Sequence, residues 1–513
     1  MQRRMLRRLP VAALAAAFVV FAALAGSSTA SVATSAASGK LVVGRTADID
    51  QFDPNKATAF QSVQTLDLIY GTLVELTPKL DIVPGLATAW KFSDGAQTLT
   101  LTLRAGVKFH DGSAFDSTDV KATIARILDP ATAAVARSNL SPITSVDTPN
   151  ARTVVLHLNA PDVPLLAALA DLNTAMLSSA DIASGSFVKK PNGTGPFKFS
   201  KWTPNQSLDL VANPTYWGKK VKLATVEFRI IPDEASIVSA LRANQVQLGL
   251  ISDPLVARQV KGSGLKVLRT PSLNYHVLQL NARSGPLTKQ YVRLAIQCAL
   301  NRKEVLDSAA LGEGHVIGPI TSPAYASNPN DRPCPKPNPN KAKAFLKAAG
   351  MSGGVTIKTI VETGEYATAV NEAQSAQAQL KKVGINLDLQ ILDSGTYVKR
   401  WLAADFDAAI ALNGGRVDPD TMYNRYFTST GNLNKVAGFS SPKLDQLFTQ
   451  GRATSNVKQR KAIYKKIGET LEGNAAWVWL FSSYDYRVIT KRVHGFLPMP
   501  NGSLKYLRQT FLK

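Results

Sequence analysis

Cysteine is nearly absent from these 513 residues: there are two, Cys298 and Cys334. They form no C-x-x-C redox pair, and they permit at most one structural disulfide, closing a loop of about 36 residues. Histidine is scarce as well. His110, His157, His276, His315 and His494 are spread along the chain without an H-E-x-x-H motif or a His/Cys cluster, which argues against a zinc site. There is no G-x-S-x-G nucleophile elbow. "GTGP" (Gly193 to Pro196) lacks the lysine and hydroxyl residue that a phosphate-gripping loop needs, and it reads as a turn flanking a strand. Acids are outnumbered, 37 against 59 lysines and arginines, for a formal charge of +22. The cations are scattered and never interleaved with stacking aromatics, so no nucleic-acid surface is expected. Long apolar runs are missing too, with one exception.

That exception is "VAALAAAFVVFAALAG" (Val11 to Gly26), preceded by four arginines and followed by small polar residues. At about 16 residues it is short for a membrane span, which needs ~20, and the three-part pattern is that of a cleavable signal peptide over residues 1–30. No cysteine follows it, so a lipid anchor is not expected, and a periplasmic or secreted location is. Removing the leader takes the charge to about +18. The remaining length exceeds one core and calls for two or three domains.

The rest alternates strands and helices. "TLTLTLRAG" sets Leu99, Leu101 and Leu103 on one strand face, and "TVVLHLN" and "TVEFRIIP" repeat the pattern. "STDVKATIARILDP" places Val120, Ile124, Ile127 and Leu128 on one helical face, with Ser117 as candidate cap. Asp233 and Ser441 are natural N-caps for two further helices, and Gly350 suits a C-terminal position after Ala349. The proline-rich stretch from Ala326 to Lys341 admits neither helix nor central strand and reads as a long surface loop.

The stretch with the densest chemistry is "NGGRVDPD" (Asn413 to Asp420). Asp418 and Asp420 are too close in sequence for a glycosidase pair, whose carboxyls stand about 5–9 Å apart across a sugar. A calcium loop fails at the following positions, so no metal is expected. The simplest role for Asp418-Pro419-Asp420 is to cap the segment that follows. Arg416 can present its guanidinium fork to a carboxylate or phosphate.

Several stretches in order resemble the peptide/nickel-type extracellular solute-binding proteins of bacterial ABC importers. They include "FDPNKA", "IYGTLVEL", "PGLATAW", "LTLRAGVKFHDGSAFDSTDVKATIARILDP", "NGTGPFKFSKW", "QLKKVGINLDLQ", "VDPD" and "ITKRVHGF". The resemblance implies an α/β, two-lobed periplasmic-binding-protein fold of type II, with a hinge and an additional small domain. Residues 40–78, 193–270 and 481–513 would form one lobe, 79–192 the inserted domain and 271–480 the second lobe. It further implies a monomer with no catalytic site and no cofactor, which captures a solute, peptide or peptide-like, and delivers it to a membrane permease. The alternative from composition alone is a secreted hydrolase using Asp and Glu carboxylates. Dipeptide binders of the family carry an aspartate shortly before D-P-D, which takes the peptide ammonium. Here those positions are Gly415, Arg416 and Val417. The family's carboxylate-binding arginine falls in "VETGEYATA", which holds Thr363, Glu365 and Tyr366 instead, and a pocket tryptophan gives way to "LDSGTY" near Ser394. A plain dipeptide is therefore not the expected ligand, and without a clear histidine ligand nickel is not either. The ligand-binding residues expected are Arg416, Asn413 and Tyr366 on one wall, and Phe60 and Gln61 on the other, with Arg416 supplying a positive end to the pocket.

Overall fold

A computed structural model describes residues 37–513, apart from 261–263, 365 and 455 and the side chain of residue 324. The expected signal peptide and Glu365 lie outside the described residues. No described helix is long and apolar enough to cross a membrane.

The fold is organised by one strand, Trp477–Ile489. Its sequence, "WVWLFSSYDYRVI", is rich in aromatic and β-branched residues and has neither glycine nor proline, which suits a long strand buried on both faces. Its first half belongs to one sheet. There it pairs with Tyr275–Leu280, beyond which lie Ala408–Asn413, Val355–Thr363 and Ile385–Asp393, and Gly314–Val316 pairs on its other side. Its second half lies between Leu248–Ile251 and Lys266–Pro271 in another sheet, which continues through Lys40–Arg45, Thr225–Ile230, Ser207–Ala212 and Phe197–Thr203. Side-chain alternation serves separate cores. Trp477 and Trp479 pack with Tyr423 and Phe427, while Val478 and Leu480 pack with Leu278 and Val292 on the opposite face.

The chain passes from one sheet to the other at two adjacent places, residues 272–274 and 482–485. The Ser482 hydroxyl lies 2.7 Å from Ser272 O and 2.9 Å from Asn274 O, its single proton shared between the two carbonyls, and the Ser272 N–H donates to Ser483 O. These bonds tie the two crossings side by side.

A third unit has its own antiparallel sheet, in the order Ala87–Ser93, Thr98–Leu103, Thr153–Leu158, Ile143–Asn150. Leu99, Leu101 and Leu103 point into its core against Val120, Ile124 and Ile127 of the helix Ser117–Leu128. That helix is capped by Asp116 rather than Ser117. The Asp116 carboxylate accepts from the Thr118 N–H and forms a reciprocal box with Asp119, while the Ser117 hydroxyl turns to Asn150 O. This unit is held to the first lobe by the turn of "FDPN": Asp53 takes Arg126 at 2.5 Å, and Asn55 and Asn173 exchange hydrogen bonds with each other's backbone neighbourhoods.

The two cysteines are joined, with Cα atoms 5.0 Å apart, and the bond fastens the proline-rich loop to the helix Gln290–Ala299. Its loop length predicts a contribution of about 2–4 kcal/mol. Cys334→Ala is expected to lower unfolding stability by that amount in urea. Unchanged stability would show that the loop is held by other contacts.

Candidate functional site

A cavity of about 880 Å³, counted to its open mouth, lies between the lobes. One wall comes from the turn at 57–60 that precedes the helix Phe60–Ile69, with Val135 and Asn173 from the small domain. The facing wall comes from the second lobe: Glu362 and Asn413 at strand ends, Tyr397 and Trp401 on the helix Ser394–Ala403, and Arg425 and Tyr426 on the helix Pro419–Phe427. The aromatic part of this wall is fixed. Trp401 Nε1 donates to Gln279 Oε1 at 2.7 Å, and the Tyr397 hydroxyl donates to Ile410 O at 2.8 Å. Their rings are thus held as an apolar surface with the polar ends satisfied away from the cavity.

Of the five residues expected at the site, Phe60, Asn413 and Arg416 line this cavity. Gln61 and Tyr366 line an adjoining recess that also contains Arg45 and Arg487, and Phe60 and Leu412 belong to both. The role expected of Arg416 is altered. Its Nε lies 2.5 Å from Asp171 Oδ2 across the mouth, so its charge is matched within the protein. The glycines beside it also do something other than admit a ligand. A Cβ on Gly415 would sit 1.8 Å from Leu273 O, so Gly415 lets the loop pass directly over the crossing at 272–274.

The two aspartates are structural. Asp418 caps the helix Pro419–Phe427 through the Asp420 N–H, and both its oxygens are taken by Arg460, at 2.6 and 2.8 Å. Asp420 accepts from Arg452, Asn424 and Tyr464. A carboxylate held this way presents no free oxygen to a substrate.

Other contacts close the cleft. Asn432 donates to Ala134 O (2.9 Å) and Val135 O (3.2 Å), and the Val163 N–H donates to Arg452 O at 3.0 Å. Beside the last lies Asp162, 2% exposed, with Oδ1 lacking a hydrogen-bond partner among the described residues. Burial pushes its carboxyl up to about 8; Asp420 and Asp418 add to this, and Arg452 and Arg460 oppose it.

Sequence reasoning missed Arg425, Tyr397 and Trp401. The available signal was an arginine inside "TMYNRYF", where each residue of the helix turns out to be buried.

The family model for bacterial extracellular solute-binding proteins, family 5, matches residues 81–434, more than half of the chain. The chain belongs to that family. This solute-binding protein is similar to the oligopeptide-binding protein AppA of Bacillus subtilis (strain 168), at 26% identity with all of both chains aligned. Among solved structures it is similar to AgaA in complex with agropinic acid from A. tumefaciens R10, with TM-score 0.84, 27% identity, and 93% of this chain and 99% of that one covered. It is similar too to DppA from Helicobacter pylori in complex with the peptide STSA, with TM-score 0.83, 27% identity, and 92% and 98% covered. The fold is therefore the two-lobed α/β fold of periplasmic binding proteins, and the protein is the non-enzymatic substrate-binding component of an ABC importer, working outside the cytoplasm.

The Asp162 carboxyl gives this solute-binding protein a pH signature. From the ordinary aspartate range near ~4 up to about 8, the folded protein keeps a proton that the unfolded chain releases, so this group's contribution to stability falls as pH rises. Asp162→Asn cannot ionise. It is expected to melt like the wild type at the acid end and increasingly above it toward pH 8. A difference that stays constant or shrinks across that range would contradict the assignment.

Proposed function

We propose that the protein takes a peptide-like or other small organic solute, not a plain dipeptide, into the cavity between its lobes as a monomer, after cleavage of its leader, and hands it to a membrane permease. The observation that carries this reading is a cavity walled by both lobes where the described residues cross between them at two places. Such an arrangement closes like a hinge, and a ligand touching both walls favours the closed form. The division expected from the sequence, with 40–78, 193–270 and 481–513 in one lobe, 79–192 inserted and 271–480 in the other, is supported by the separate sheets and cores. The passage of the long strand between sheets near Ser482 supports the boundary at about 480.

What the relatives hold sets the range of ligands: oligopeptides for AppA, the peptide STSA for DppA, agropinic acid for AgaA. Exclusion of a plain dipeptide rests on residues 415–417, where no acid precedes Asp418 and the arginine present is matched by Asp171. In this reading Arg416–Asp171 is a latch across the mouth, with Phe60, Gln61, Tyr366 and Asn413 around the ligand.

Native mass spectrometry of protein purified without denaturation is expected to show a bound small molecule, and incubation with peptides, esters and glycosides is expected to give no products. Turnover that disappears in Asp418→Asn would replace this reading with the hydrolase alternative.

A further inference from the structure

The second lobe buries several arginines, and their partners differ. Arg460 is held by Asp418, Arg302 by Trp479 O with Glu472 at 3.7 Å, and Arg293 by the carbonyls of Leu287 and Asn474. In the first lobe Arg45 has Thr65 and Asp48. Arg425 is the exception. It is 7% exposed, its Nε is buried without a hydrogen bond, and among the described residues it makes no side-chain hydrogen bond or ion pair. Its guanidinium carbon lies 4.9 Å from the centre of the Tyr426 ring. It is also the one in this group that lines the main cavity.

A buried cation needs an acceptor. In the empty cleft water can serve. A ligand that fills the cavity between Phe60, Tyr397, Trp401 and Tyr426 displaces that water. An uncharged ligand with no acceptor at this point would leave the guanidinium bare, and a cationic one would add repulsion. Arg416, the other arginine on the cavity wall, is already answered by Asp171. The helix that carries Arg425 is pinned by Asp418–Arg460 and Asp420–Arg452, so the guanidinium is carried on a rigid support.

From this we infer that the ligand carries an oxoanion, a carboxylate or a phosphate, which Arg425 takes in the cavity while the remainder packs on the aromatic wall. This rests on the solute-binding reading above and narrows its ligand class. A planar fork facing two oxygens is the geometry that arginine matches best.

The test uses the full chain, wild type and Arg425→Gln, purified without denaturation. Small molecules released by unfolding are identified by mass spectrometry in both polarities. The wild type is expected to release a molecule with an anionic group, and Arg425→Gln to retain it at about a tenth of that level or less, as loss of a charge-assisted contact implies. Stripped of ligand and refolded, Arg425→Gln is expected to melt no lower than stripped wild type, because it loses a buried charge with no partner. The released molecule is then methyl-esterified or treated with phosphatase and offered back to stripped wild type. The treatment that removes its anion is expected to weaken binding about tenfold or more, and which treatment does so separates carboxylate from phosphate. Equal retention by the variant, a released molecule without an anion, or undiminished binding after both treatments overturns the inference and leaves the solute-binding reading intact. A stripped variant that melts far below the wild type makes Arg425 a structural residue and overturns it too. A wild type that releases nothing, and whose melting point is unmoved by millimolar peptides and carboxylic acids, counts against both.

Discussion

The strand Trp477–Ile489 is shared by two sheets, and much else in the structure follows from that sharing. A strand cannot leave one sheet for another without a stretch where its ladder changes partners. Here that stretch is 482–485, and the only half-exposed positions of the strand, Ser483 to Asp485, fall within it. The Ser482 hydroxyl shares its one proton between two carbonyls of the neighbouring crossing, where the ladder changes partners. Before this stretch the strand is packed on both faces, with Trp477 and Trp479 in one core and Val478 and Leu480 in the other, and after it Val488 and Ile489 are buried in the cores of the second sheet.

The cavity inherits its position from the same constraint. Gly415 rides over Leu273 at one crossing, which fixes where Asn413 and Arg416 emerge and where the helix beginning at Pro419 starts. Buried ion pairs then hold that helix. Such pairs contribute modestly to stability once desolvation is counted, but they are strongly position-specifying, because breaking one leaves a bare charge. Charge around the cleft is thus divided. Asp418, Asp420 and Arg416 are paired within the protein, and Arg425 lines the cavity together with Glu362.

The secondary structure was largely legible. Alternation gave the strand Thr98–Leu103 and its inward leucines, and the caps at Asp233 and Ser441 hold as read. The cap of the helix Ser117–Leu128 was misplaced by one residue because "DS" offers two good caps, and only the tertiary partner of Ser117, the carbonyl of Asn150, decides between them. The disulfide could be stated only as permitted, since pairing depends on a loop folding back on a helix. Within the site, a motif rich in glycine and charge drew attention to Arg416, whereas sequence carries no sign that Asp171 stands opposite it. Arg425 was hidden for the converse reason. Its type and neighbours look ordinary, and its significance lies in the absence of a partner, a three-dimensional property.

The central claim is that the lobes move as rigid bodies about the two crossings when ligand enters. Pulsed electron–electron resonance between spin labels at exposed Lys201 and Lys399, one in each lobe, tests this most directly, with exposed Lys201 and Lys266 as the pair within one lobe. The account predicts that the Lys201–Lys399 distance shortens when stripped protein is given back its ligand, while the Lys201–Lys266 distance stays fixed. An unchanged distance between the lobes, or an equal change within one of them, would contradict it.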